Sequence, residues 1–245
     1  GYLFYGVYGD KSTANSGDYG VSTNTHTWVE DSTHLLPSFT IYVGREDKEH
    51  TYTGCVLTRL SLSAAVGEYV SMSADFVGKA ESAVGALAPA PTFGGASLDG
   101  LHFRNATITF SDGSTHTSST NVKSISVDWN INVDTDSACS LGSATYVRQP
   151  SMQMREITGS VEFSRPIVDG GTTGEPEYKD VIAADGLLYD GTSSNPAIKI
   201  ELVDEGTGDL EIQIRKVRWE APTNNVSGRD QSTMSLNFVA LVDTA

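Results

Sequence analysis

A chain of 245 residues has room for one large domain or two small ones. Charged residues make up only 19% of it, 24 residues are Gly, and Ser and Thr are abundant, which argues against a long-helix protein and for turn-rich β-structure. The net charge of −15, from 31 acidic against 16 basic residues, repels nucleic-acid phosphate rather than gripping it. Two readings of that charge stand: solubility in a salty environment, or a surface that nucleic acid must pass without sticking. No run of 18 apolar residues spans a membrane, and no basic-then-apolar signal opens the chain.

Gly1–Asp10 is apolar and aromatic, the end of a helix or a strand. Lys11–Thr25 is rich in Ser, Gly, Asn and Asp and reads as a loop. His26–Asp31 is a short strand around Trp28 and Val29. Phe39, Ile41 and Val43 then alternate with Thr40 and Tyr42, the period of a half-buried strand. After a polar turn at Gly44–Lys48, Tyr52–Ala64 forms a long strand whose apolar phase changes near Leu57–Thr58, predicting a bulge or bend. Val66–Glu68 turns the chain, and Val70, Met72, Ala74 and Phe76 give the returning strand an inward face. Ser82–Gly100 is an Ala-, Pro- and Gly-rich connector. Its apolar residues, Ala83, Leu87, Pro89, Pro91 and Phe93 among them, suit an arm lying on another surface.

Asn105–Ser111 is a further strand, closed by the turn pair Asp112–Gly113. In Ser124–Asp134, Ile125, Val127, Trp129, Ile131 and Val133 alternate with short polar and acidic residues, so one face is apolar and the other meets water. Ile157–Ser164 follows with Gly159, Val161 and Phe163 in phase. Glu177–Tyr189 predicts a helix, with Val181, Ile182, Leu187 and Leu188 near one face and acidic residues in its first turn. Ala197–Val203, Leu210–Ala221 and Met234–Val242 complete the strands, with a second phase change at Arg215–Lys216.

The strands repeat. Met72–Val77 (MSADFV) matches Met234–Val239 (MSLNFV), Leu60, Leu62 and Ala64 fall opposite Val217, Trp219 and Ala221, and Pro37–Val43 matches Pro196–Leu202 in pattern. The fold class expected is therefore all-β, a sandwich-like fold with one short helix per repeat, duplicated in tandem. The first repeat occupies residues 1–115, with the connector arm at 82–100, and the second residues 116–245. The first repeat lacks its leading strands, so the encoded protein is expected to carry roughly 50–60 further N-terminal residues by analogy with Ser124–Glu177.

Signs of chemistry are few. The histidines His26, His34, His50, His102 and His116 have no metal-ligand spacing. No nucleophile elbow, phosphate loop or dinucleotide fingerprint occurs. The pairs Asp128/Asp134 and Glu156/Glu162 suit a solvated strand face better than a hydrolytic dyad. Asp134–Asp136 and Asp204–Asp209 read as polar turns rather than calcium loops. Asn105 and Asn225 stand in glycosylation triplets, a weak signal. Cys55 and Cys139 read as free thiols. No catalytic residue, metal or cofactor is expected.

Leu36–Lys79 resembles the major tail tube proteins of long-tailed phages and archaeal tailed viruses. The likeness is carried by its Pro-Ser-Phe-Thr strand, its Thr-Gly-Cys-Val opening, its Leu-Ser-Leu-Ser-Ala strand and its Phe-Val-Gly-Lys ending. The second half is similar to the tube domain shared with the type VI secretion tube, ending in Ser-Leu-Asn-Phe-Val-Ala. The resemblance implies a non-enzymatic virion protein, assembled in the host cytoplasm, that polymerises as stacked rings into a conduit for genome delivery. It implies homotrimeric pseudo-sixfold rings in preference to hexamers, with tail terminator and tail-tip proteins as partners. Double-stranded DNA would pass without specific binding, and no membrane is involved. On that reading Asp75, Asp128, Asp134 and Glu162 are candidates for the lumen, and Ala83, Leu87, Pro89, Pro91 and Phe93, with the Lys11–Thr25 loop, for contacts between rings. The alternatives are a carbohydrate-binding or adhesin-type β-sandwich, which needs exposed aromatics along a groove, and a β-rich hydrolase.

Overall fold

The computed structural model describes residues 2–16, 23–30, 36–45, 48–86, 101–111, 116–119, 121–143, 145–146, 148–164, 188–191, 196–203, 209–225 and 233–241. A helix α1 (Tyr2–Tyr8) opens the chain. The strands of the first half are β1 (Gly9–Ser16), β2 (Thr23–Glu30), β3 (Phe39–Arg45), β4 (Lys48–Ala65), β5 (Ser71–Val77), β6 (Ala80–Ala86), β7 (Ala106–Ser111) and β8 (His116–Ser118). Those of the second are β9 (Val122–Asn130), β10 (Val133–Asp134), β11 (Ser151–Met152), β12 (Glu156–Phe163), β13 (Leu188–Asp190), β14 (Ile198–Leu202), β15 (Leu210–Ile214), β16 (Lys216–Trp219), β17 (Thr223–Asn225) and β18 (Thr233–Ala240). The protein is strand-dominated and its sheets antiparallel, the all-β class expected. Among the described residues no helix is long and apolar enough to cross a membrane.

The chain divides into two compact units that interleave in sequence. One comprises Gly1–Leu60, Ser73–Phe93 and Trp129–Arg155, the other Ser61–Met72, Gly94–Asp128 and Glu156–Ala245. In the first unit, α1 buries Phe4 and Val7, which lie one turn apart on the same helix face. Phe4 packs on Trp28 and Trp129 at ring-centroid distances of 5.4 and 6.0 Å. The Trp129 indole N–H donates to the Tyr8 hydroxyl at 3.1 Å, and the Arg155 guanidinium lies 5.3 Å from the centre of the Tyr8 ring. At Gly6 the packing is close, since a Cβ there would sit 3.2 Å from both Leu57 and Phe39. β4 is flanked by β3 and β6 over its first half.

The second unit is a sandwich. Its larger sheet runs β13-β16-β18-β12-β9 and on to the Ser61–Ala65 end of β4; its smaller sheet runs β15-β14-β7-β8. Period-two alternation supplies the core from both layers. Ile125, Val127, Val161, Phe163, Val217, Trp219, Leu236 and Phe238 come from the first, and Phe110, Ile198, Ile200, Ile212 and Ile214 from the second. Phe110 bridges them, 5.7 Å from Phe163 and 6.0 Å from Trp219.

Both phase changes are present. Cys55, Val56 and Leu57 are buried in succession before Leu60, Leu62 and Ala64 resume alternation. Ile212 and Ile214 give way to Val217 and Trp219 across the break between β15 and β16. At that break the chain leaves the smaller sheet for the larger, so one stretch serves both layers.

Several expectations need correction. Much of Lys11–Thr25 is strand, because residues 11–16 of β1 pair with β2 from Gly9↔Glu30 to Ser16↔Thr23; backbone ladders form over residues of poor strand propensity when a partner is in register. The first part of the Ser82–Gly100 connector, as far as Ala86, is strand β6, and residues 87–100 lie outside the described residues. The helix expected over Glu177–Tyr189 does not reach its end. Leu188 and Tyr189 are in β13, where Tyr189 is buried edge-on against Trp219 at 6.0 Å, while residues 177–187 lie outside the described set. The face of β5 is half-wet rather than inward, with Met72 38% exposed. The strand from Ser124 stops at Asn130, since Asn132 takes φ +50° and β10 begins a new pairing with β11.

Candidate functional site

On the sheet of the second unit, residues that alternate with the core point away from it; most are short and polar, with Arg218 of β16 and Val239 of β18 on the same side. Ser124, Ser126 and Asp128 of β9, Thr158, Ser160 and Glu162 of β12, and Ser235 and Asn237 of β18 share this face. Ser160 stands opposite Asn237, and Glu162 opposite Ser235. The hydroxyls of Ser126 and Ser160 hydrogen-bond at 2.9 Å across neighbouring strands, as do those of Ser63 and Ser71 at 2.8 Å. Short side chains permit this direct pairing between strands, and the face carries the Asp128 and Glu162 carboxylates together with the Arg218 cation.

Asp128 and Glu162 are thus brought onto one face. Asp75 lies on β5 in the other unit, exposed, its backbone carbonyl accepting from the Thr58 hydroxyl at 3.0 Å. Asp134 belongs to a turn instead. Its Oδ1 accepts from the Ser137 N–H at 3.1 Å, and this bond, the Ser137 hydroxyl and the nearby Arg148 charge hold its carboxyl below the usual range. Of the arm residues, Ala83 lies in β6, while Leu87, Pro89, Pro91 and Phe93 lie outside the described residues.

Among the described residues no cluster of His, Cys, Asp and Glu could hold a metal ion. A pocket lined by Ala64, Val66, Phe103, Ile108 and Lys123 holds about 70 Å³, well under the roughly 300 Å³ at which ligand pockets begin. Cys55 and Cys139 are free, and burial pushes the Cys55 thiol up. Trp129 and Trp219 are 1% and 0% exposed and offer no surface for a sugar to stack on.

Two polar features escaped the sequence. On the outer side of the smaller sheet, Lys199 Nζ reaches Glu201 at 2.5 Å and Glu211 at 3.3 Å, and the Glu211 carboxylate also accepts from Gln213. His50 Nδ1 and Glu81 Oε1 lie 2.6 Å apart between β4 and β6. The alternation of Lys199 and Glu201 with Ile198, Ile200 and Leu202 was the available signal for the first; nothing local marked the second.

A family model described as phage tail tube protein matches residues 1–240. The chain belongs to the phage tail tube protein family. Its place is the virion tail, where it is a structural protein, the major tail tube subunit, and assembles with itself and with other tail proteins. No curated protein matches the chain. The polar sheet face and the burial of Trp129 and Trp219 accord with a wall component, and nothing favours the adhesin alternative over it.

Proposed function

We propose that three copies of this tail tube protein, each supplying two tube repeats (residues 1–115 and 116–245), close a pseudo-sixfold ring, and that the rings stack into a hollow, non-catalytic conduit for DNA. Asp75, Asp128, Asp134 and Glu162 are the proposed lumen charges. The observation that carries this reading is the polar face holding Asp128 and Glu162 on a chain of net charge −15. Hydroxyls already bonded to one another offer phosphate little, and carboxylates repel it, so DNA slides. Repeated strand patterns and matching phase changes support the duplication. Tail terminator and tail-tip proteins cap the two ends.

Electron microscopy of the purified chain at high concentration tests this. Hollow tubes of uniform width with three chains per ring are expected; six chains per ring overturns the trimer, and a monodisperse monomer throughout counts against self-nucleated assembly. Asp128→Lys with Glu162→Lys is expected to leave tubes that retain duplex DNA at low salt and release it as salt rises. Tubes that still exclude DNA would remove this face from the lumen. We further propose that the arm from Ala83 to Phe93 and the Lys11–Thr25 segment bridge rings. Deleting residues 87–95, which spares β6, is expected to leave rings that do not lengthen.

A further inference from the structure

In the second unit, the turn between β4 and β5 is tied through His102 to the segment that leads into β7. The Val70 N–H donates to the Leu101 carbonyl at 2.9 Å and the Phe103 N–H to the Glu68 carbonyl at 3.3 Å, while Tyr69 and His102 face each other in an antiparallel bridge. His102 then caps the 3-10 turn Phe103–Asn105. Its backbone is extended, at φ −107° and ψ 148°, and its Nδ1 accepts from the Arg104 N–H at 3.3 Å. The half-buried ring stands T-shaped to Tyr69, 5.1 Å between centroids, and lies 4.4 Å from the Phe103 ring. An accepting Nδ1 fixes the tautomer: the imidazole is neutral and its hydrogen sits on Nε2. In the imidazolium both nitrogens carry hydrogen. No turn of the ring then restores an acceptor, and two N–H groups meet where the bond was. The usual capping residues, Ser, Thr, Asp and Asn, carry an oxygen that still accepts in the range where histidine loses its acceptor.

We infer that His102 is an acid-sensitive latch: neutral, it locks the β4–β5 turn to the 101–105 segment, and protonated, it lets the two part. The charged and titratable groups around it come from each neighbouring element. Glu68 and Tyr69 belong to the turn, Arg104 to the capped segment, and Lys123 to the cavity wall that Phe103 shares. Glu201 of β14 is engaged by Lys199. Among the described residues no carboxylate is bonded to His102, and Asp99 lies outside them. The lost cap bond is therefore not replaced by an ion pair already in place. Parting has a defined local effect. Phe103 and Val66 wall the cavity of about 70 Å³ over Ala64, Ala106 and Ile108. Phe103 follows the cap and Val66 opens the turn, so both walls depend on the latch.

Amide hydrogen exchange of the full-length chain at about pH 8 and about pH 5, the span in which histidine charges, tests this. The readout is the protection factor, from which the intrinsic pH dependence of exchange divides out. Protection at Val70, Phe103 and Arg104 is expected to fall about threefold to tenfold on acidification, the worth of one hydrogen bond, while β9, β12 and β18 keep theirs. His102→Asn supplies an oxygen that accepts at either pH. It is expected to hold wild-type protection at both, and His102→Ala to lose it at both. Nitrogen shifts of the His102 ring are expected to place the hydrogen on Nε2 at about pH 8. Wild-type protection that does not change with pH overturns the latch, as does a ring that carries its hydrogen on Nδ1 at about pH 8. A response that persists in His102→Asn overturns it too, and its loss in Glu68→Gln would assign the sensing to Glu68 instead.

Discussion

Lys199 shows how a single side chain decides whether a sheet surface is stable. Glu201 and Glu211 stand directly opposite each other on β14 and β15, and like charges in that position destabilise a sheet. Lys199 reaches both, and its bonds to Glu201 and then Glu211 raise its own pKa above the ordinary 10.5. A raised pKa contributes stability that is present in full below the ordinary value and is lost as pH rises through the folded one. Lys199→Ala is expected to lower the denaturant midpoint at pH 7 and to cost less as pH rises through the raised lysine value, where the wild-type ammonium loses its charge. The depressed carboxyl of Asp134 works the other way: its contribution is present above the ordinary 3.8 and is lost as pH falls through the lower folded value. Gly159 is a steric case. A Cβ there would overlap the Ser126 carbonyl oxygen and the Phe238 ring, so Gly159→Ala is expected to cost about 1–3 kcal/mol or more, measured by chemical denaturation.

Elements with the same pattern differ in value by what covers them. Ile200 on β14 is 0% exposed and Ile41 on β3 is half-buried. Ile200→Ala is expected to destabilise the free chain by about 2–5 kcal/mol, and Ile41→Ala by under about 1 kcal/mol. Equal losses in urea melts would mean that β3 is covered within its own chain. The long strand β4 and the β15–β16 stretch make the same point about continuity. Each switches its apolar phase midway, and across the β15–β16 break the switch lets one run of chain serve two layers.

Across the whole molecule, charge sets the terms of assembly. Copies carrying −15 repel one another, and the repulsion is screened within about 3 Å at molar salt against about 10 Å at 0.1 M. Tube formation by the purified protein is therefore expected to be faster and to start at lower concentration in molar salt, as followed by light scattering and microscopy. Slower assembly with added salt would show that ion pairs between copies, rather than apolar and backbone contacts, hold the wall.

Much of this protein was legible from its residues. Alternation placed β3, β9, β12, β14 and β18, because side chains on a strand take opposite faces whatever the strand pairs with. The same rule put Asp128 and Glu162 on the wet side, with Ile125, Val127, Val161 and Phe163 inside. The phase changes at Leu57–Thr58 and Arg215–Lys216 were legible for that reason as well. The tertiary structure decided what depends on a distant partner. The polar run of β1 became strand because β2 lay in register with it. Leu188–Tyr189 became β13 because pairing with β16 and the ring of Trp219 outweighed local helical spacing. Likewise, only the packing could show that one apolar hairpin is sealed by β7 while its counterpart at β3 pairs, among the described residues, with β4 alone. A sequence records which face of a strand is apolar, whereas the cover for that face comes from elsewhere in the chain or from another copy of it.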